Sequence, residues 1–148
     1  MSTYLIYGTD TEDIGTRVVT FREPGAPNFY DPRVSERARF LKIQFEALAG
    51  RKEKVDKIVL HFDGMAESRG CFQVLVQRRL STHLMIDWDG IVYQPLDLRD
   101  IAYHAAQVNR TGIGIDLNNP VRPNRARSLA GREVFSGRIN GGVRRCLG

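Results

Sequence analysis

The sequence predicts an α/β fold: one domain with a mixed central β-sheet flanked by helices. Three observations carry this. A compact apolar run, Ile58-Val59-Leu60-His61-Phe62, has the length and β-branched content of a strand. Two stretches repeat apolar residues at helical spacing: Phe40, Leu41, Phe45 and Leu48 in one, Phe72, Leu75 and Val76 in the other. Between Thr82 and Asn118 a hairpin, a crossing segment and a glycine-flanked strand follow in turn. A chain of 148 residues can bury a real core as one domain. Within it, residues 1–55 read as N-terminal strands and a helix, 56–119 as the core that carries the motifs, and 120–148 as a loop-rich end. The order of connections alone does not fix the strand order.

Taken in order, residues 4–7 and 16–21 are β-branched and aromatic, and read as two short strands. Residues 22–32 hold three prolines and a glycine, a loop. Asp31-Pro32 then supplies an N-cap and a proline at the first helical position, opening a helix over 32–49 with Gly50 as its C-terminal cap. Residues 52–57 are a charged connector. The run 58–62 reads as a strand central in the sheet, because it is apolar throughout, and Asp63-Gly64 ends it. A second helix over 68–79 buries Phe72, Leu75 and Val76 and shows Gln73, Gln77 and Arg78 to solvent. From Thr82 to Trp88 the chain alternates, with His83, Met85 and Asp87 on one face and Thr82, Leu84, Ile86 and Trp88 on the other. Asp89-Gly90 is a hairpin signal, both positions being expected at positive φ, and residues 91–94 return as the partner strand. Residues 97–105 make a short helical or irregular crossing. In the strand 112–118, Ile113, Ile115 and Leu117 are assigned to the core, and Gly112, Gly114, Asp116 and Asn118 to the other face. The glycines there leave room for something to approach the sheet. Beyond Asn119 the chain is loop-like, with a brief edge strand at 131–135.

Composition narrows the function classes. No apolar run reaches the roughly 20 residues of a membrane span. The N-terminus has no basic segment followed by a long apolar core, so a cytoplasmic location is the default expectation, with unmarked export as the alternative. A net charge of +5 favours acidic partners. Much of it is a scatter of arginines from Arg122 to Arg145 with only Phe135 interleaved, which makes a nucleic-acid platform a poor fit. Cys71 and Cys146 form neither a disulfide framework nor a local metal knuckle. Asn109-Arg110-Thr111 matches a glycosylation pattern and is read as chance.

The chemistry-bearing residues are the three histidines and one carboxylate. His61 ends a strand, where a side chain either completes the core or points into a cleft. His83 faces away from Leu84 and Ile86, and His104 sits among small residues in Ala102-Tyr103-His104-Ala105-Ala106. Imidazoles and a carboxylate are zinc ligands by type. No pair has the i, i+4 spacing of a helical zinc motif, so spacing alone does not bring them together.

The order of the motifs adds to this. Ile58-Val59-Leu60-His61, then Ser81-Thr82-His83-Leu84-Met85-Ile86-Asp87-Trp88-Asp89-Gly90-Ile91-Val92-Tyr93-Gln94, then Ala102-Tyr103-His104-Ala105, Asn109, and Gly112-Ile113-Gly114-Ile115-Asp116-Leu117 succeed one another with family-like gaps. Together they resemble the type-2 N-acetylmuramoyl-L-alanine amidases, the family that includes peptidoglycan recognition proteins. The resemblance covers about residues 57–119, with a fainter echo in 131–142. It implies a zinc hydrolase that cuts the amide between muramic acid and L-alanine of the peptidoglycan stem peptide. On that pattern His61 is a ligand of a single zinc ion and Asp116 stands where a glutamate assists the attacking water. His83, His104 and Asn109 match positions that line the muropeptide groove. Phe62 stands where a second histidine is common. The family's remaining ligands come from a later segment, so a further segment or a second chain is expected to complete the metal site. A peptidoglycan-binding relative without catalysis is the alternative, and an unrelated basic interaction domain a third. Such a partner also makes export or a phage setting the route to the cell wall.

Overall fold

The computed structural model describes residues 2–41 and 55–119. Its main feature is a six-stranded mixed sheet in the order β1-β2-β6-β5-β8-β4. The strands are β1 (Ser2–Tyr7), β2 (Asp10–Thr20), β4 (Lys57–Phe62), β5 (Leu84–Ile86), β6 (Val92–Gln94) and β8 (Gly112–Leu117). β1 with β2 and β5 with β6 run antiparallel, while β2 with β6, β5 with β8 and β4 with β8 run parallel. A two-stranded ribbon joins β3 (Phe40–Leu41) to β7 (Ile101–Ala102). The helical elements among the described residues are α1 (Pro32–Ser35), α2 (Ser68–Gln77) and a 3-10 turn at Ala106–Val108.

The alternation read from the sequence fixes two faces. Val18, Leu84 and Val92 form one apolar cluster, with Leu5, Ile86, Leu98 and Ile115 packed against it. Phe29, Leu96 and Ala102 centre a second, closed by Tyr30, Phe40 and the α2 residues Phe72, Leu75 and Val76. The buried amide of Gln94 ties β1 to the middle of the sheet: its Oε1 accepts from Ile6 N at 2.8 Å and its Nε2 donates to Ile6 O at 2.7 Å.

Four expectations need correction. The helix expected over 32–49 stops at Ser35. Asp31 caps it as foreseen, accepting from Arg33 N at 2.9 Å. Phe40 and Leu41 then pair with β7 instead, which seats the Phe40 ring on Tyr30; residues 42–49 and Gly50 lie outside the described residues. Second, β4 is not central: among the described residues it is an edge strand paired with β8 alone. Ile58, Leu60 and Phe62 are 69%, 56% and 68% exposed there, so an unbroken apolar run marks a strand without marking its place in the sheet. Third, only Gly90 takes positive φ in the hairpin. Asp87 bonds Ile91 and Gly90 across a three-residue loop, and a single left-handed residue closes such a loop. Fourth, in β8 the row assigned away from the core is the more buried one: Gly112, Gly114 and Asp116 are covered, while Ile113, Ile115 and Leu117 are half-buried. The connector before β4, the strand expected at 131–135, Cys146 and the arginine scatter also lie wholly or largely outside the described residues.

Candidate functional site

The site grows from the parallel ladder between β4 and β8. Val59 pairs with Gly114 and His61 with Asp116. Side chains at matched positions of neighbouring strands stand on the same face, so the imidazole and the carboxyl share one side of the sheet. The Thr82 hydroxyl, itself fully buried, donates to the Leu84 carbonyl at 3.4 Å. Burial raises the pKa of the Asp116 carboxyl, and the nearby Thr82 hydroxyl and His61 ring pull it part of the way back. A carboxylate raised toward neutrality is a better proton acceptor than one in water.

Above β8 the glycines do admit a close approach, and what approaches is the chain's own His104. A Cβ at Gly114 would stand 2.8 Å from Cγ and Cδ2 of that ring. The loop bearing His104 turns through Ala106 at φ 46°. Asn109 holds it, its buried Oδ1 accepting from His104 N at 3.1 Å and Ala105 N at 2.7 Å. The His104 ring stands nearly perpendicular to that of His61, with Nδ1 3.0 Å from His61 Nε2. Burial, then the charge His61 can carry, push the His104 pKa down to about 4, so the ring is neutral at pH 7. Its Nε2 is buried with no hydrogen-bond partner among the described residues.

His83 lies deeper, 6.0 Å from His104 between ring centroids and 1% exposed. Gly114 N donates to its Nδ1 at 3.0 Å, so its proton is on Nε2, which donates to the Asp100 carbonyl at 2.9 Å. Both nitrogens are thus committed to backbone. The three histidines form a row running inward from the sheet edge: His61, His104, His83. As placed, His83 and Asn109 are bound to backbone and His104 reaches His61.

Sequence reasoning missed three neighbours. Thr82 was assigned to the opposite face by strict alternation, yet β5 begins only at Leu84. Asp63 was read only as a strand breaker. Its carboxyl accepts from Met65 N at 2.8 Å and from Asn118 Nδ2 at 3.4 Å, and burial raises its pKa. Cys71, buried on α2, has its thiol pKa pushed up by burial and by Asp116 and Asp63, which makes it an inert thiol. A carboxylate two residues beyond a strand-ending histidine was the available signal for Asp63.

Comparison with known proteins agrees with the motif order. The family model described as N-acetylmuramoyl-L-alanine amidase matches residues 51–136, more than half of the chain. This chain belongs to that amidase family. The matched segment contains His61, His83, His104, Asn109 and Asp116. No curated protein matches the chain. A solved structure titled as the crystal structure of an Se-Met AmpD derivative is 16% identical, with a TM-score of 0.40 over 80% of this chain and 72% of that one. That likeness is too slight to add weight to the family match.

The family implies zinc, and the described residues of this chain do not make a zinc site. They offer one strand-end imidazole beside a carboxylate, but no three His, Cys, Asp or Glu side chains converge among them.

Proposed function

We propose that this chain is a peptidoglycan hydrolase that cleaves the amide joining N-acetylmuramic acid to L-alanine of the stem peptide. The observation that carries the reading is the pairing of His61 with Asp116 on one face of the β4–β8 ladder, inside the segment that matches the amidase family. Asp116 is the general base. It takes a proton as water adds to the scissile carbonyl, and returns one to the alanine nitrogen as the C–N bond breaks. Burial and the Thr82 hydroxyl fit it to that exchange. His61 is the one ligand the described residues offer a zinc ion, and they leave its coordination to be completed by another segment or chain. His104 borders the muropeptide hollow, and His83 and Asn109 hold its wall.

Muropeptide incubated with the 148-residue chain and zinc, with products followed by mass spectrometry, tests this. Release of free stem peptide by the native chain and its loss in His61→Ala are expected. Muropeptide binding without hydrolysis in the presence of zinc replaces the enzyme with a non-catalytic binder. Hydrolysis undiminished in His61→Ala removes the assignment of His61.

A further inference from the structure

His83 stands just before β5 and meets β8 twice at a single residue. Its backbone N donates to Gly114 O at 3.2 Å, and its ring Nδ1 accepts from Gly114 N at 3.0 Å. The ring thus takes the place of a strand carbonyl and carries the parallel pairing of Leu84 with Ile115 one residue further. Its partners fix the ring without ambiguity, because a backbone N–H only donates and a carbonyl only accepts. Nδ1 holds the lone pair that Gly114 needs, and Nε2 holds the proton given to Asp100 O at 2.9 Å. An imidazolium has two donors and no acceptor. A proton added at Nδ1 sets donor against donor, around a ring that is 1% exposed.

We propose that the His83–Gly114 pair is an acid-sensitive latch: closed while the ring is neutral, and opened when a proton on Nδ1 displaces the Gly114 N–H. What the latch holds is the seat of His104. That ring rests on Gly114, where a Cβ would stand 2.8 Å from its Cγ and Cδ2, and Asp116 lies two residues further along β8. The titratable groups around the latch come from every side. β8 presents Asp116, in register with Met85 on the His83 face, and β4 presents His61 opposite it. Asp87 lies beyond Met85 in the same alternating row. The loop before β8 presents His104, edge-on at 6.0 Å between ring centroids. The segment before β7 presents Asp100, whose carboxylate takes the Tyr30 hydroxyl. The carboxylates favour a proton on His83, and a charge on His61 or His104 opposes it. The neutral ring is the bonded form, so the latch is closed at the higher pH and opens as the pH falls.

These contacts lie within the fold, so the latch stands apart from the reading of His61 and Asp116 as a working pair. The test is a titration of the nitrogen-labelled, metal-free 148-residue chain from pH 7 to pH 4, with circular dichroism following the global fold. Long-range nitrogen–proton NMR correlation reads the pH at which His83 Nδ1 gains its proton, and hydrogen exchange reads the protection of the Gly114 amide. Protection at Gly114 is expected to fall about ten- to a hundredfold, as the loss of one buried hydrogen bond implies, with the His83 midpoint and before the amides of β1 and β2 lose theirs. His83→Asn, whose amide oxygen can accept the Gly114 N–H and does not titrate, is expected to hold that protection level over the same range. Protection that stays level through the native His83 midpoint overturns the proposal without any variant. So does protection that follows the midpoint of His104 instead, or a His83 Nδ1 that stays unprotonated until the whole chain unfolds. An equal fall in a folded His83→Asn also overturns it.

Discussion

Asp116 and His61 stand opposite one another in the parallel register of β8 and β4, far apart in sequence and on the same face of the sheet. A pairing of the two residues on opposite faces would have ended the case for a shared hollow. Their juxtaposition sets the first expectation. Asp116→Asn keeps the shape and removes the proposed base, and on that proposal turnover of muropeptide is expected to fall by about 10²- to 10⁴-fold, with affinity within a few-fold of native. The folded pKa of Asp116 lies above the unfolded one, so its favourable contribution is complete below the unfolded pKa and is lost as pH rises through the folded value. Burial makes the charged form of this carboxyl the costlier one. The variant therefore melts at or above the native temperature, and a clear drop in melting temperature would contradict this account of the site.

Gly114 and Gly90 separate two reasons for a glycine. Gly114→Ala drives a methyl group into the His104 ring at 2.8 Å, and overpacking of this kind costs about 1–3 kcal/mol. Gly90→Ala meets open space but inherits a φ of 83°. Both lower the melting temperature. Only Gly114→Ala shifts the ring resonances of His61 and His104; equal shifts in both variants would disprove the packing of His104 on β8.

His104 also predicts an acid-side loss of stability. Its folded pKa of about 4 lies below the 6.5 of an ordinary imidazole. The neutral ring's contribution is therefore complete above pH 6.5 and is lost as pH falls toward 4. The difference is at most about 3 kcal/mol, less with solvent screening of a half-buried ring. Asp116, Asp63 and Asp87, all raised chiefly by burial, oppose part of this at the lower end because the fold holds their protons more tightly. Urea denaturation between pH 7 and 4 is expected to show a shallower acid fall for His104→Phe than for the native chain. Parallel curves would remove the assignment.

Tyr30 is linked to His83 through Asp100. Its hydroxyl donates to the Asp100 carboxylate and accepts from Asp97 N at 3.0 Å, while the Asp100 carbonyl receives the His83 proton. Tyr30→Phe leaves those groups short of a partner and costs about 1–3 kcal/mol. Burial first, then the Asp100 carboxylate, push the phenol well above its ordinary range. Its contribution is thus intact below about pH 10 and is lost as the pH rises further. The native chain loses stability above that pH more steeply than Tyr30→Phe, as alkaline urea titrations will show.

Much of this was legible in the residues. Alternation placed the two rows of β8, and the motif order placed the family before any coordinates. The glycines announced a close approach, though not that the visitor would be His104, because that contact depends on a left-handed turn at Ala106 that no local rule requires. The position of β4 was misread because an apolar run reports hydrophobicity and not strand order. The helix from Pro32 was overextended because Phe40 satisfies helical spacing and aromatic packing equally well, and the tertiary partner Tyr30 decided between them. Thr82 was missed because alternation was carried past the end of its strand.

The ladder that joins β4 to β8 has one more implication, for how the hollow comes into being. The β1–β2 hairpin can close on its own through a tight loop at Gly8. The β4–β8 pairing instead spans a helix, a hairpin and a crossing segment, and long-range parallel pairing carries a loop-closure penalty that makes it slow. The proposed chemistry is therefore absent from early, locally ordered states of the chain, and its appearance in a refolding experiment marks the arrival of long-range contacts.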